Sequence, residues 1–182
     1  MATLAALRFT DPSLALAALP VLETSERCGA IRLDDAAIVE WPTSSYRPTA
    51  RHLAEVRTAR PLSPSFWQLF FGAAFLLPVA ARALGEHSAE TGCSMATFGI
   101  SDRFVRELRS RLVSGTSGLF LLTPDANADR VVEALAELDF SLFSTTLSRR
   151  QQGALLAAFG ASSASATDTR GVLATESARP GS

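Results

Sequence analysis

Lysine is absent: all 17 basic residues are arginines, set against 18 carboxylates for a formal net charge of −1. That balance excludes an overall electrostatic role toward nucleic acid or acidic substrates, which are met by a basic excess clustered on one face. Cysteine is nearly absent too. Cys28 and Cys93 stand far apart with no CxxC pair and no ligand cluster around them, so neither a disulfide scaffold nor a zinc site is expected, and a reducing compartment is the default. No positively charged n-region precedes the first apolar stretch, and Arg8 and Asp11 interrupt it, so no cleaved export signal is expected. No GK[ST] phosphate loop and no G-x-S-x-G elbow occurs. What is present is a chain of 182 residues, 47% hydrophobic and 19% charged, which suits one domain with a real core.

Residues 3–9 are apolar apart from Arg8 and end at a turn signal, Asp11-Pro12, which reads as a strand followed by a helix start. Leu14, Leu16, Leu19 and Leu22 then recur at near-helical spacing, with Pro20 marking a kink or early stop. A second strand is expected over 36–41, alternating Ala37, Val39 and Trp41 against Ile38 and Glu40, near a sheet edge because Pro42 follows. Residues 43–63 are polar and arginine-bearing, with a weak strand at 52–56. Ser101 can cap a helix carrying the stripe Phe104, Val105, Leu108 and Leu112. Residues 118–123, GLFLLT, read as a buried strand, 125–138 as a helix, 141–146 as a strand and 148–159 as a closing helix.

This order, βαβ, an insertion, then αβαβα, predicts an α+β fold: a ferredoxin-like split βαβ sandwich interrupted after its second strand by a hydrophobic helical insertion. The strands over 3–9 and 118–123 are the most continuously apolar and should be central. The domain is expected to span 1–160, with the insertion at about 62–99 and a disordered tail over 161–182, where the chain is small, polar and aperiodic.

The insertion opens with residues 66–84, FWQLFFGAAFLLPVAARAL, in which only Gln68 and Arg82 are strongly polar. As one helix it would span roughly 28 Å at about 1.5 Å per residue, barely matching a hydrocarbon core of about 30 Å. Arginines flank it on both sides, and a single crossing would separate the two halves of the sheet. Two readings remain: a monotopic dip at the cytoplasmic face of the cell membrane, or a helix buried between subunits of a cytoplasmic homo-oligomer. Either would use Phe66, Trp67, Phe70, Phe71, Phe75, Leu76 and Leu77 as the membrane or interface residues. The membrane reading adds Arg60, Arg82, Arg103 and Arg106 as headgroup ligands.

Chemical constellations are sparse. His87, Glu90 and Cys93 follow i, i+3, i+6 spacing, but Gly92 and a loop-like context favour a polar turn over a metal site. Gly115-Thr116-Ser117-Gly118 superficially resembles a phosphate loop and reads better as a helix-to-strand turn. Asp34 and Asp35 are adjacent, which on an extended chain points them apart, so a turn role is expected for both. His52 reads as a solvated loop residue, and Trp41 and Trp67 as packing or interface residues. No catalytic residue, cofactor, metal or small-molecule ligand is expected; the expected partners are a membrane surface or a second copy of the chain.

The stretch 98–123, FGISDRFVRELRSRLVSGTSGLFLLT, resembles the signature of the bacterial family called domain of unknown function 1269, often labelled an uncharacterised membrane protein. Asp35-Ala36-Ala37-Ile38-Val39 with Trp41-Pro42 resembles that family's strand entry. The run from Ser65 to Gly72 with Pro78 resembles its insertion, and Thr146-Leu147-Ser148 the turn before its closing helix. The resemblance covers about residues 1 to 160. It implies a small α+β domain holding a hydrophobic, often glycine-rich insertion, and it implies no catalytic residues. This chain departs from the family where a second apolar arm is common: residues 85–92, GEHSAETG, are polar.

Overall fold

The computed structural model describes residues 1–53, 62–75, 95–124 and 127–160. It is a mixed α+β domain built on one five-stranded sheet in the order β3-β2-β4-β1-β5, with every neighbouring pair antiparallel. The strands are β1 (Ala2–Phe9), β2 (Asp35–Trp41), β3 (Thr49–His52), β4 (Thr116–Pro124) and β5 (Phe140–Leu147). The helices are α1 (Leu14–Ala17), α2 (Leu19–Arg27), α3 (Pro64–Phe75), α4 (Asp102–Arg111), α5 (Ala128–Ala134) and α6 (Arg149–Phe159), with a 3-10 turn at Met95–Phe98.

The period-two alternation of β1, β2 and β4 divides the core into two layers, because successive side chains leave a strand on opposite faces. Leu7, Phe9, Ile38, Leu119 and Leu121 pack with Leu22 of α2 and Val131 of α5 on one face. Leu4, Val39, Phe120 and Leu122 pack on the other against α3, α4 and α6. With helices on both faces, β1 and β4 are buried almost throughout, and that is why their sequences run apolar without interruption. These two strands lie side by side, flanked by β2 and β5, as their composition predicts.

β2 lies one strand in from the edge: β3 pairs with it on the outer side, and the first five residues of β2 are buried. Two expectations need correction. The extra strand lies at Thr49–His52, ahead of the expected 52–56, because the turn after Pro42 sets a hairpin register that opposes Ala37 to His52. The helix expected over 125–138 is shorter, since the chain already turns at Leu135, whose N–H reaches both Val131 O and Val132 O. Residues 54–56 and the tail expected over 161–182 lie outside the described residues.

Local signals that act within a few residues appear as expected. Ser101 Oγ accepts from Phe104 N at the start of α4. Gly115 adopts φ +86°, a conformation that favours glycine, and its N–H donates to Trp41 O at 2.6 Å, which places the helix-to-strand turn at Gly115, while Thr116, Ser117 and Gly118 already belong to β4. Ahead of α1, the Ser13 hydroxyl donates to Asp11 Oδ1 at 2.6 Å, with the Ser13 N–H adding a second bond at 2.8 Å. The hydroxyl first and the amide second hold the Asp11 carboxyl below the usual carboxylate range. Ser13→Ala should therefore raise the Asp11 pKa toward its ordinary value in a carbon-detected NMR titration; an unmoved titration would contradict this arrangement. The sign follows from linkage: a lowered folded-state pKa adds stability above the unfolded pKa and loses it as pH falls through the folded one.

Candidate functional site

The most polar point of the core lies at the first residue of β2. Asp35 is fully buried, on the same sheet face as Ala37 and Val39, and both of its carboxylate oxygens are occupied. Oδ1 accepts from His52 Nε2 at 2.8 Å and from Ala36 N at 2.9 Å. Oδ2 accepts from Trp67 Nε1 at 2.7 Å and from Leu62 N at 3.0 Å. One side chain therefore joins β2, the end of β3, the entry to α3 and the indole of α3 itself. The burial of a carboxylate is tolerable only because four donors replace its water.

Above this point α3 lies flat on the sheet. Trp67 stacks on Phe71 at 5.7 Å between centroids, and Phe71 meets Phe120 of β4 edge-on at 5.0 Å. Phe66 packs on Phe159 of α6, which in turn meets Phe98. The tilted and edge-to-face geometries are those that aromatic quadrupoles favour. The far end of α3 is held by α4, where Arg109 donates from Nε to Ala74 O at 2.8 Å and from Nη2 to Ala73 O at 2.5 Å. An α-helix continued past Ala74 would need a donor from position 78, which is proline and has no N–H. The Arg109 guanidinium supplies a donor to each of these two carbonyls and so ties α4 to the last described turn of α3.

The residues expected to line a membrane or subunit interface are therefore divided. Phe66, Trp67, Phe70 and Phe71 are at most 2% exposed and face the chain's own sheet. Phe75 is partly buried and meets Trp41 edge-on. Arg103 and Arg106 stand exposed on α4. Leu76, Leu77, Arg60 and Arg82 lie outside the described residues, as do His87, Glu90 and Cys93. Among the described residues no helix is long and apolar enough to cross a membrane.

The Asp35 cluster corrects the expectations for two residues. Asp35 belongs to the strand and not to a turn, and His52 is a strand residue whose side chain is only 12% exposed. The contacts span 17 positions to His52 and 32 to Trp67, beyond any local motif. The available signal is a carboxylate opening an otherwise apolar strand, DAAIV, since such a group has to find donors inside. With every lone-pair direction toward the core occupied, this carboxylate is suited to positioning α3.

A family model described as "Protein of unknown function (DUF1269)" matches residues 62–160, more than half of the chain, and the chain belongs to that family. No curated protein and no solved structure matches it.

Proposed function

We propose that this member of the family is a non-enzymatic module of ferredoxin-like type that meets the cytoplasmic face of the cell membrane peripherally, without crossing it. The observation that carries this reading is the place where the described part of the apolar run ends. Its first part is α3, packed under the sheet, and the end of α3 is tied to α4, the helix that exposes Arg103 and Arg106. In sequence, Leu76, Leu77 and further apolar residues follow Phe75 directly. Apolar residues next to guanidinium groups are the combination that anionic headgroups and the acyl boundary take up together, at about 1 kcal/mol for each basic residue.

A single crossing is disfavoured by topology. β2 precedes the run and β4 follows it, and the two strands are hydrogen-bonded neighbours, so a segment that leaves after Phe75 has to come back to the same side by Met95. The ferredoxin-like reading rests on the order β2-β4-β1-β5, with α2 and α5 on one face of it. The non-enzymatic reading rests on Asp35, whose oxygens are occupied by donors from the fold itself.

Fractionation of native cells should place the protein with membranes, and high salt or carbonate should strip it off. Arg103→Glu combined with Arg106→Glu, on a helix face the core does not use, should move it to the soluble fraction with an unchanged unfolding midpoint. Retention through both washes, or a wholly soluble native protein, would overturn the proposal.

A further inference from the structure

The two edges of the sheet are not equivalent. β3 is four residues long and carries Arg51 and His52, the short and charged form in which edge strands resist pairing. β5, at the other end, is eight residues long, FSLFSTTL, with no charge, proline or glycine in it. It pairs with β1 one to one over all eight residues, so no bulge twists it away. Its outer side has no strand among the described residues. Ser141, Ser144 and Thr146 are exposed on it, and Leu142 is 44% exposed, although its neighbour in β1, Leu7, is fully buried. A long, flat, uncharged edge of β-branched and aromatic residues is a template for another strand.

We infer that β5 is a self-association edge, taking β5 of a second copy of this chain in antiparallel pairing about a two-fold axis at Ser144. The charges at its ends select this occupant and this direction. Asp139 precedes the strand and Arg149 follows it, both exposed. A two-fold axis normal to the sheet keeps each sheet face continuous, which requires a residue to oppose itself at the centre. With Ser144 there, Leu142 faces Thr146 of the partner subunit, and Asp139 comes to the same end as Arg149 of the partner subunit, the first residue of its α6. A parallel pairing would instead set Asp139 against Asp139 and Arg149 against Arg149, which like-charge repulsion disfavours. The antiparallel pair adds about eight backbone hydrogen bonds, covers Leu142 and joins the two sheets into one. This edge lies across the sheet from β3.

Sizing of the full-length protein by light scattering should return twice the chain mass. Ser144→Lys, on an exposed side chain, should return a single chain mass with an unchanged far-UV circular dichroism spectrum, because two ammonium groups would meet at the axis, and its thermal midpoint should no longer depend on protein concentration. Asp139→Arg should weaken the dimer and Asp139→Arg with Arg149→Asp should restore it. In a background of Cys28→Ser and Cys93→Ser, Ser144→Cys should form a covalent dimer on mild oxidation, since directly opposed residues sit within disulfide reach. Thr146→Cys should crosslink only when mixed with Leu142→Cys. A full-length protein that stays monomeric at high concentration would overturn the inference, as would a dimer indifferent to Ser144→Lys. A monomer whose outward β5 amides resist hydrogen exchange would also overturn it, by assigning the edge to a segment of the same chain.

Discussion

Replacing Asp35 with alanine should destabilise the domain by about 3–5 kcal/mol, the upper range of single substitutions, because several buried donors lose their acceptor at once. The loss is large because four donors are stranded together: His52 Nε2, Trp67 Nε1 and the backbone N–H groups of Leu62 and Ala36. Asp35→Asn should recover only part of it, since the amide nitrogen would present hydrogens to donors already facing that side. Trp67→Phe keeps most of the aromatic packing and should cost about 1–2 kcal/mol, the price of one hydrogen bond to a charged group. In the Asp35→Ala background it should cost clearly less, and that difference is the coupling a double-mutant cycle reads. Urea unfolding followed by tryptophan fluorescence and far-UV circular dichroism measures all four proteins. A cost for Asp35→Ala below about 1 kcal/mol would show that the cluster does not hold α3 to the sheet.

Phe70→Ala should cost about 3–5 kcal/mol, by lost transfer free energy and by the cavity left behind. Phe70 is fully buried among Phe66, Trp67, Phe71 and Phe120, and these rings come from α3 and β4, so few neighbours can collapse into the space. The same variant separates two roles for α3. If the helix serves as a core element, stability falls and the membrane partition of the protein that remains folded is unchanged. If the helix instead leaves the sheet and lies in lipid, Phe70→Ala should lower membrane partition while leaving the unfolding free energy almost untouched, and that outcome would contradict the burial described here.

Much of the fold is legible in the chain because its signals are local. The alternation of β2, the apolar runs of β1 and β4, the Ser101 cap, the break near Pro20 and the turn at Gly115 each act within one helical turn or one strand. Such signals place elements well and their ends less well, as the shorter α5 illustrates. The edge strand β3 was not legible at its observed place, since nothing in 49–52 by itself reveals that it will be hydrogen-bonded to β2.

The apolar run shows the division most clearly. Composition by itself establishes that 66–84 has to be removed from water, and length by itself establishes that it barely matches a bilayer. Whether protein or lipid covers it depends on what stands opposite, and for α3 that is Phe120, Phe159 and Met95, brought in from strands and helices up to 93 positions away. The Asp35 cluster was hidden for the same reason: apart from Ala36 N, its donors come from 17, 27 and 32 positions away, which no sequence spacing connects. Hydrophobicity, charge balance and turn chemistry are properties of residues and their near neighbours. The burial of a carboxylate, the tie of Arg109 to the carbonyls of α3 and the exposure of one uncharged sheet edge arise only when distant segments share a surface, so tertiary structure alone decided them.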